Sequence, residues 1–163
     1  RFGSGQPQEG NEMSFFRQAL RGTILEPYFR EGLQALGTDS VKVGCANTRK
    51  LAGSVDIDSA TEASCPKDNR WDYAVGYLRG GNGKRLYFIE VHPASTSEVQ
   101  CMIEKHRWLV AWLRANAIGL DRIQEKFFLW VATGGIKIPK NAPQLRRLAQ
   151  EGVSPPCERA HIC

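Results

Sequence analysis

The stretch RWDYAVGYLRGGNGKRLYFIEVHPAS, residues 70–95, limits what this chain can fold into more than any other. Trp71, Tyr73, Val75 and Tyr77 alternate with Asp72, Ala74, Gly76 and Leu78, and Leu86, Phe88, Glu90 and His92 alternate with Tyr87, Ile89 and Val91. This is the period-two pattern of β-strands. A glycine-rich turn folds two such strands back on each other, so Asp72 and the Glu90/His92 pair are expected at one end of a hairpin. Glu90 and His92, two residues apart, share a face. Asp72 joins that face only if its register partner is even-numbered. A three-residue loop, Gly81-Asn82-Gly83 or Gly80-Gly81-Asn82, pairs Asp72 with His92 or Glu90. A two-residue Gly81-Asn82 turn pairs it with Val91 and throws the carboxylate to the other face. The sequence leaves the turn open, and with it the convergence of the two carboxylates.

Around the hairpin the remaining elements follow from periodicity and punctuation. Asn11 is placed to cap a first helix whose apolar face runs through Met13, Phe16, Leu20, Ile24, Tyr28, Phe29, Leu33 and Leu36 as far as Gly37, kinked or split at Pro27. Val41 to Gly44 and Ser54 to Ile57 are expected as short strands, and Asp58 to Arg70 as a loop. Ser95 and Glu98 have capping-box spacing for a helix. Its inward stripe would be Val99, Met102, His106, Leu109, Val110 and Leu113, with Glu104, Lys105, Arg107 and Arg114 outside and Gly119 beyond its end. Lys126 to Thr133 is a compact apolar run, expected as an interior strand. Asn141 and Pro143 start a helix through Gln150. The class is α/β, one mixed sheet with an antiparallel meander flanked by helices.

The chain has 163 residues, enough for one domain with a real core. Residues 12–163 are expected to form it, behind a poorly ordered tail over 1–11. No apolar run reaches the ~18 residues of a membrane span, and RFGSGQPQEGN lacks the basic-then-apolar order of a signal peptide. Five cysteines, an odd number without regular spacing, fit a reducing cytoplasm better than a disulfide scaffold. Cys157, His161 and Cys163 lie within seven residues and, with Cys45 or Cys65, have the composition of a zinc site. No C-x-x-C pair supports it, and a structural Zn2+ is not expected. The net charge of +5 suits a polyanionic partner. Lys137, Lys140, Arg146 and Arg147 are the best group for phosphate contacts, though a solvated face explains them better. Gly80, Gly81 and Gly83 join two strands rather than a strand and a helix, so they make no nucleotide-binding loop.

A helix, an antiparallel meander carrying an acid and then E-x-H, a crossing helix and a further strand together resemble the PD-(D/E)xK, or restriction-endonuclease-like, nuclease superfamily, over about residues 12 to 135. The resemblance implies a restriction-endonuclease-like core. It also implies a metal-dependent nuclease acting on phosphodiester bonds of DNA or RNA. Asp72 falls where the family's metal-binding Asp stands, Glu90 where the acid of E-x-K stands, and Glu26 loosely where some members carry an extra acid on the first helix. His92 stands in place of the family's lysine, and Trp71 in place of the proline. Some members move their lysine to a neighbouring element, and Lys105 or Lys42 is available for that part.

The chemistry expected of such a site is Mg2+ or Mn2+ held by Asp72 and Glu90, with the Val91 carbonyl as a further oxygen donor. His92 would be the general base or an additional ligand. The plainer account makes Asp72 and Glu90 ordinary strand-end acids paired with Arg70 or Arg85. Asp56 and Asp58 are a rival acidic pair. His106 on the apolar helix face reads as a core histidine, Trp130 as core, and Trp108 and Trp112 as packing or a surface for a partner, which makes a homodimer worth testing. A nuclease-like domain that binds nucleic acid or protein without cleaving it is the alternative function.

Overall fold

Ser14 opens helix α1 (Phe15–Leu20), accepting a hydrogen bond on Oγ from the Arg17 N–H at 3.2 Å. The structure, a computed structural model, describes residues 14–163; the expected tail over 1–11 and the first helical positions Asn11 and Met13 lie outside the described residues. The long apolar helix expected as far as Gly37 does not form. After Leu20 the chain runs through a 3-10 turn at Glu26–Tyr28, the short strand β1 (Phe29–Arg30) and a kinked 3-10 segment, Gln34–Lys42. Gly22, Gly32 and Gly37 all have positive φ, 76°, 52° and 54°, which no right-handed helix contains. The apolar residues of this segment are also divided between two cores, with Leu25 in one and Leu36 in the other. No single helix face could serve both.

Strand β2 (Val43–Cys45) and a 3-10 turn lead to β3 (Leu51–Asp56), and a short helix α2 (Ile57–Thr61) occupies the start of the expected loop. The hairpin follows as β4 (Tyr73–Arg79) and β5 (Gly83–Ser95). After the 3-10 turn Thr96–Glu98 come α3 (Val99–Asn116), α4 (Ile118–Asp121), β6 (Glu125–Lys137), α5 (Pro143–Gln150) and β7 (Ala160–Ile162). Five strands form one mixed, mostly antiparallel sheet in the order β1-β3-β4-β5-β6, with β6 parallel to β5. A second, two-stranded parallel sheet joins β2 to β7.

Alternate residues of β4, β5 and β6 feed two apolar layers. Ala74, Leu86, Phe88, Trp130 and Ala132 pack under α1 and α3, while Val75, Tyr77, Tyr87, Ile89 and Val131 pack against Leu36 and the β2–β7 pair. Because side chains alternate along a strand, Glu90 and His92 fall on the α3 side. The run Lys126 to Thr133, expected in the sheet interior, lies in the last strand of the order. Its outer edge is covered by the tail, where Ser154 N–H donates to Phe128 O at 2.9 Å, Cys157 N–H to Trp130 O at 3.0 Å and Ala132 N–H to Cys157 O at 2.8 Å. Apolarity on both faces and a covered edge give the same sequence signal as two strand neighbours.

Helix α3 buries Val99, Met102, Ile103, His106, Leu109, Trp112 and Leu113. Ile103 and Trp112 replace Val110 in the expected stripe. The capping box does not form: Ser95 Oγ lies 2.9 Å from Ser97 Oγ, and the Glu98 carboxylate turns to His92 instead.

Candidate active site under helix α3

The hairpin register decides where Asp72 goes. Arg79 pairs with Gly83 and Tyr73 with Ile89, so the loop is Gly80-Gly81-Asn82, with Gly81 at φ 76°, and Asp72 stands beside Glu90. The two acids finish the ladder with their side chains. Asp72 N–H donates to Glu90 Oε2 at 2.8 Å, and Val91 N–H donates to Asp72 Oδ2 at 3.0 Å. Asp72 Oδ1 has no hydrogen-bond partner among the described residues.

Lys105 completes the group. The helical stripe puts it on the outward face of α3, yet its Nζ lies 2.7 Å from Glu90 Oε1 and donates to Arg70 O at 2.8 Å. A lysine stem is long enough to run along the helix flank and bring its ammonium under it. His92 sits next along the strand face, with Nε2 at 2.7 Å from Glu98 Oε2 and Nδ1 at 3.9 Å from Glu90 Oε1. Two rows therefore face each other: Glu90 and His92 at period two on β5, and Glu98, Cys101 and Lys105 at spacings of three and four at the start of α3.

Glu90 is 1 % exposed. Burial, and then the Asp72 carboxylate, push its pKa up to about 8 against the opposing pull of Lys105. Burial likewise raises Asp72 to about 6, opposed by the Val91 N–H and by Lys105. The carboxylates raise Lys105 against its burial, so it is held as the cation. One ammonium thus answers two crowded acids, whose raised proton affinity shows that the group favours further positive charge. A hard divalent cation among oxygen donors fits that need.

Other candidates are occupied elsewhere. Asp56 caps α2, accepting from Ser59 N–H and Oγ, each at 2.8 Å, and Asp58 pairs with Arg70 at 2.8 Å. Arg85 pairs with Glu125 at 2.8 Å. Neither arginine therefore neutralises Asp72 or Glu90 as the plainer account required. Glu26 lies in a 3-10 turn rather than on the first helix and accepts from Gly22 N–H at 2.8 Å. Lys105, not Lys42, reaches Glu90. His106 is buried, packs edge-on against Phe128 with ring centres 4.4 Å apart, and is pushed towards its neutral form by burial. Trp130 is core and donates through Nε1 to His92 O at 3.0 Å. Trp108 and Trp112 stack at 5.9 Å, and Trp108 donates to Asp68 at 3.0 Å, which ties α3 to the loop before β4.

The basic group divides. Lys140 and Arg146 line a largely apolar groove of about 700 Å³ between the end of β6, α5 and Pro155–Pro156, whereas Lys137 and Arg147 lie outside its lining. At the tail, Cys157 faces Trp130 O at 3.5 Å, His161 packs over Gly44, and the Cys163 carbonyl accepts from Tyr87 Oη at 2.8 Å. Among the described residues, the only three His, Cys, Asp or Glu donor atoms gathered within 4.8 Å of one another are those of His92, Glu98 and Cys101. In the sequence Glu98 is expected in a cap, and Cys101 is only one of five cysteines. Their spacing of three on one helix face, beside the His92 face of the strand, was the available signal.

Compared with protein-family models, curated proteins and solved structures, the chain gave no match. No helix among the described residues is long and apolar enough to cross a membrane.

Proposed function

We propose that the chain is a metal-dependent nuclease with a restriction-endonuclease-like core, hydrolysing phosphodiester bonds of DNA or RNA, in which the motif lysine comes from α3. The observation that carries this reading is the ion pair between Lys105 Nζ and Glu90 Oε1 at 2.7 Å, with Asp72 one hydrogen bond away. The antiparallel run β3-β4-β5, the crossing helix α3 and the parallel strand β6 support it through their order.

Asp72 and Glu90 would hold Mg2+ or Mn2+, with the Val91 carbonyl as a further donor; the ion supplies a bound water of lowered pKa and neutralises charge developing on the phosphate. Asp72 offers its unpartnered Oδ1. Lys105 opposes the burial that raises Glu90, lowering its proton affinity, and presents N–H donors beside it. His92 serves as general base or as an additional ligand. Lys137, Lys140, Arg146 and Arg147 supply phosphate contacts, which give binding but no sequence choice.

Plasmid, single-stranded DNA and RNA incubated with Mg2+ or Mn2+ test the reading. Divalent-dependent cleavage is expected for one of them, reduced ~100-fold or more in Asp72→Ala, Glu90→Ala and Lys105→Ala. Cleavage undiminished in the two acid variants would overturn it. Binding without cleavage would favour the inactive alternative, whose motive, the missing lysine, is weakened by the position of Lys105.

A further inference from the structure

We infer that His92, Glu98 and Cys101 form a second cation site, distinct in chemistry from Asp72 and Glu90, that takes a zinc-class ion. Its donors are an imidazole, a carboxylate and a thiol, gathered within 4.8 Å of one another. Nitrogen and sulfur donors suit borderline-soft ions such as Zn2+, whereas Mg2+ and Mn2+ favour the all-oxygen set next door. Three protein ligands leave a fourth position for water or a substrate oxygen, as in zinc centres that do chemistry.

The fold builds the site from local rules. His92 faces α3 because it stands two residues from Glu90 on β5, and Glu98 and Cys101 share a helical face because they are three apart. The 3-10 turn Thr96–Glu98 is short enough to bring the start of α3 back over His92. Glu98 lies 2.7 Å from His92 Nε2. A tetrahedral ion with Zn–N and Zn–O near 2.0 Å and Zn–S near 2.3 Å spaces its donors by roughly 3.3–3.6 Å. The trio therefore needs only side-chain adjustment, with Glu98 parting slightly from the ring. The other ring nitrogen, Nδ1, faces Glu90 Oε1 at 3.9 Å, on the side where zinc-bound histidines find an orienting carboxylate. Glu104, at the far side of this face, is engaged by Asn69 and Gln100, and Lys105 by Glu90. The trio is thus bounded without another ligand competing for it.

An ion on Nε2 makes His92 a ligand rather than a base and places fixed positive charge where the family pattern has lysine. That consequence rests on the nuclease reading; the site does not.

The full chain, reduced and freed of metal by chelation, is titrated with Co2+ in the absence of nucleic acid. One equivalent is expected to give thiolate-to-cobalt charge-transfer absorption that Zn2+ displaces. Cys101→Ser and His92→Ala should abolish the band, and Glu98→Gln, which keeps the cysteine and its packing, should weaken Co2+ binding about tenfold or more. Asp72→Asn should retain it. Circular dichroism of each variant separates lost binding from lost fold. Absence of the band in the natural sequence, or its persistence in Cys101→Ser, would overturn the site. Failure of cleavage in the nuclease assay would leave this result untouched.

Discussion

Glu90 carries an acid into a setting that leaves 1 % of its side chain exposed, and the cost shows as proton affinity. Glu90 is raised to about 8 and Asp72 to about 6, both by burial first. Above pH ~4 the unfolded chain has released protons that the folded protein still holds on these two groups, so the fold binds more protons and stability falls as pH rises. Their contribution is present below the unfolded values and is lost through about 6 for Asp72 and then about 8 for Glu90. Lys105, raised by its partners against its burial, has the same sign at higher pH: its contribution is full below its ordinary value and is lost only in strong alkali. Without divalent ions, the melting temperature should fall by several degrees between about pH 5 and about pH 8. Glu90→Gln should remove much of that slope, and saturating Mn2+ should flatten it. A melting temperature that rises across this window would contradict the assigned burial of the pair. At this scale the acids and His92 were legible, because each sits on a period-two face. Lys105 was not, because a helical wheel assigns a Cα direction while a long side chain can leave it.

At two of the places where elements meet, a side chain larger than glycine's would not fit. A Cβ on Gly76 of β4 would lie 2.7 Å from Phe16 Cβ, and one on Gly119 of α4 would lie 2.7 Å from the Ala19 carbonyl oxygen. Through these approaches α1 seats on the sheet and α4 locks against α1. Gly119→Ala sets a methyl against backbone, which cannot rotate away, and should cost about 1–3 kcal/mol, read as a lower urea midpoint at unchanged slope. An unchanged midpoint would mean the two helices stand further apart. Long, strongly periodic elements were legible: β4, β5, α3 and α5. Residues 14–42 were not, since their apolar spacing fits a helix while Gly22, Gly32 and Gly37 adopt positive φ and the side chains serve two separate cores.

For the molecule as a whole, the tail is a structural component rather than an appendage. It covers the outer edge of β6 and ends as β7 beside β2, with Ile162 1 % exposed in the second core layer. Tyr87 Oη binds the Cys163 carbonyl at 2.8 Å, fastening the tail to the far face of the hairpin strand that carries Glu90. Ile162→Ala should cost about 2–5 kcal/mol and lower the denaturation midpoint accordingly. A change within error would show that the β2–β7 pair contributes little to the fold. The tail's cysteines and histidine have a zinc-like composition, but backbone bonds hold Cys157 to Trp130 and Ala132 of β6 while β7 seats His161 beside Gly44 of β2, so they meet different neighbours.

The sequence by itself determined the hairpin, the face shared by Glu90 and His92, the crossing helix and the order of elements around them. Those are local matters of period and punctuation, settled within a few residues. Only the tertiary structure decided the three-residue turn that brings Asp72 to Glu90, the capture of Lys105 by that pair, and the convergence of Glu98 and Cys101 on His92. Each depends on how one element lies over another, and two turns of equal local quality, or two rotamers of one lysine, differ only in what they meet there.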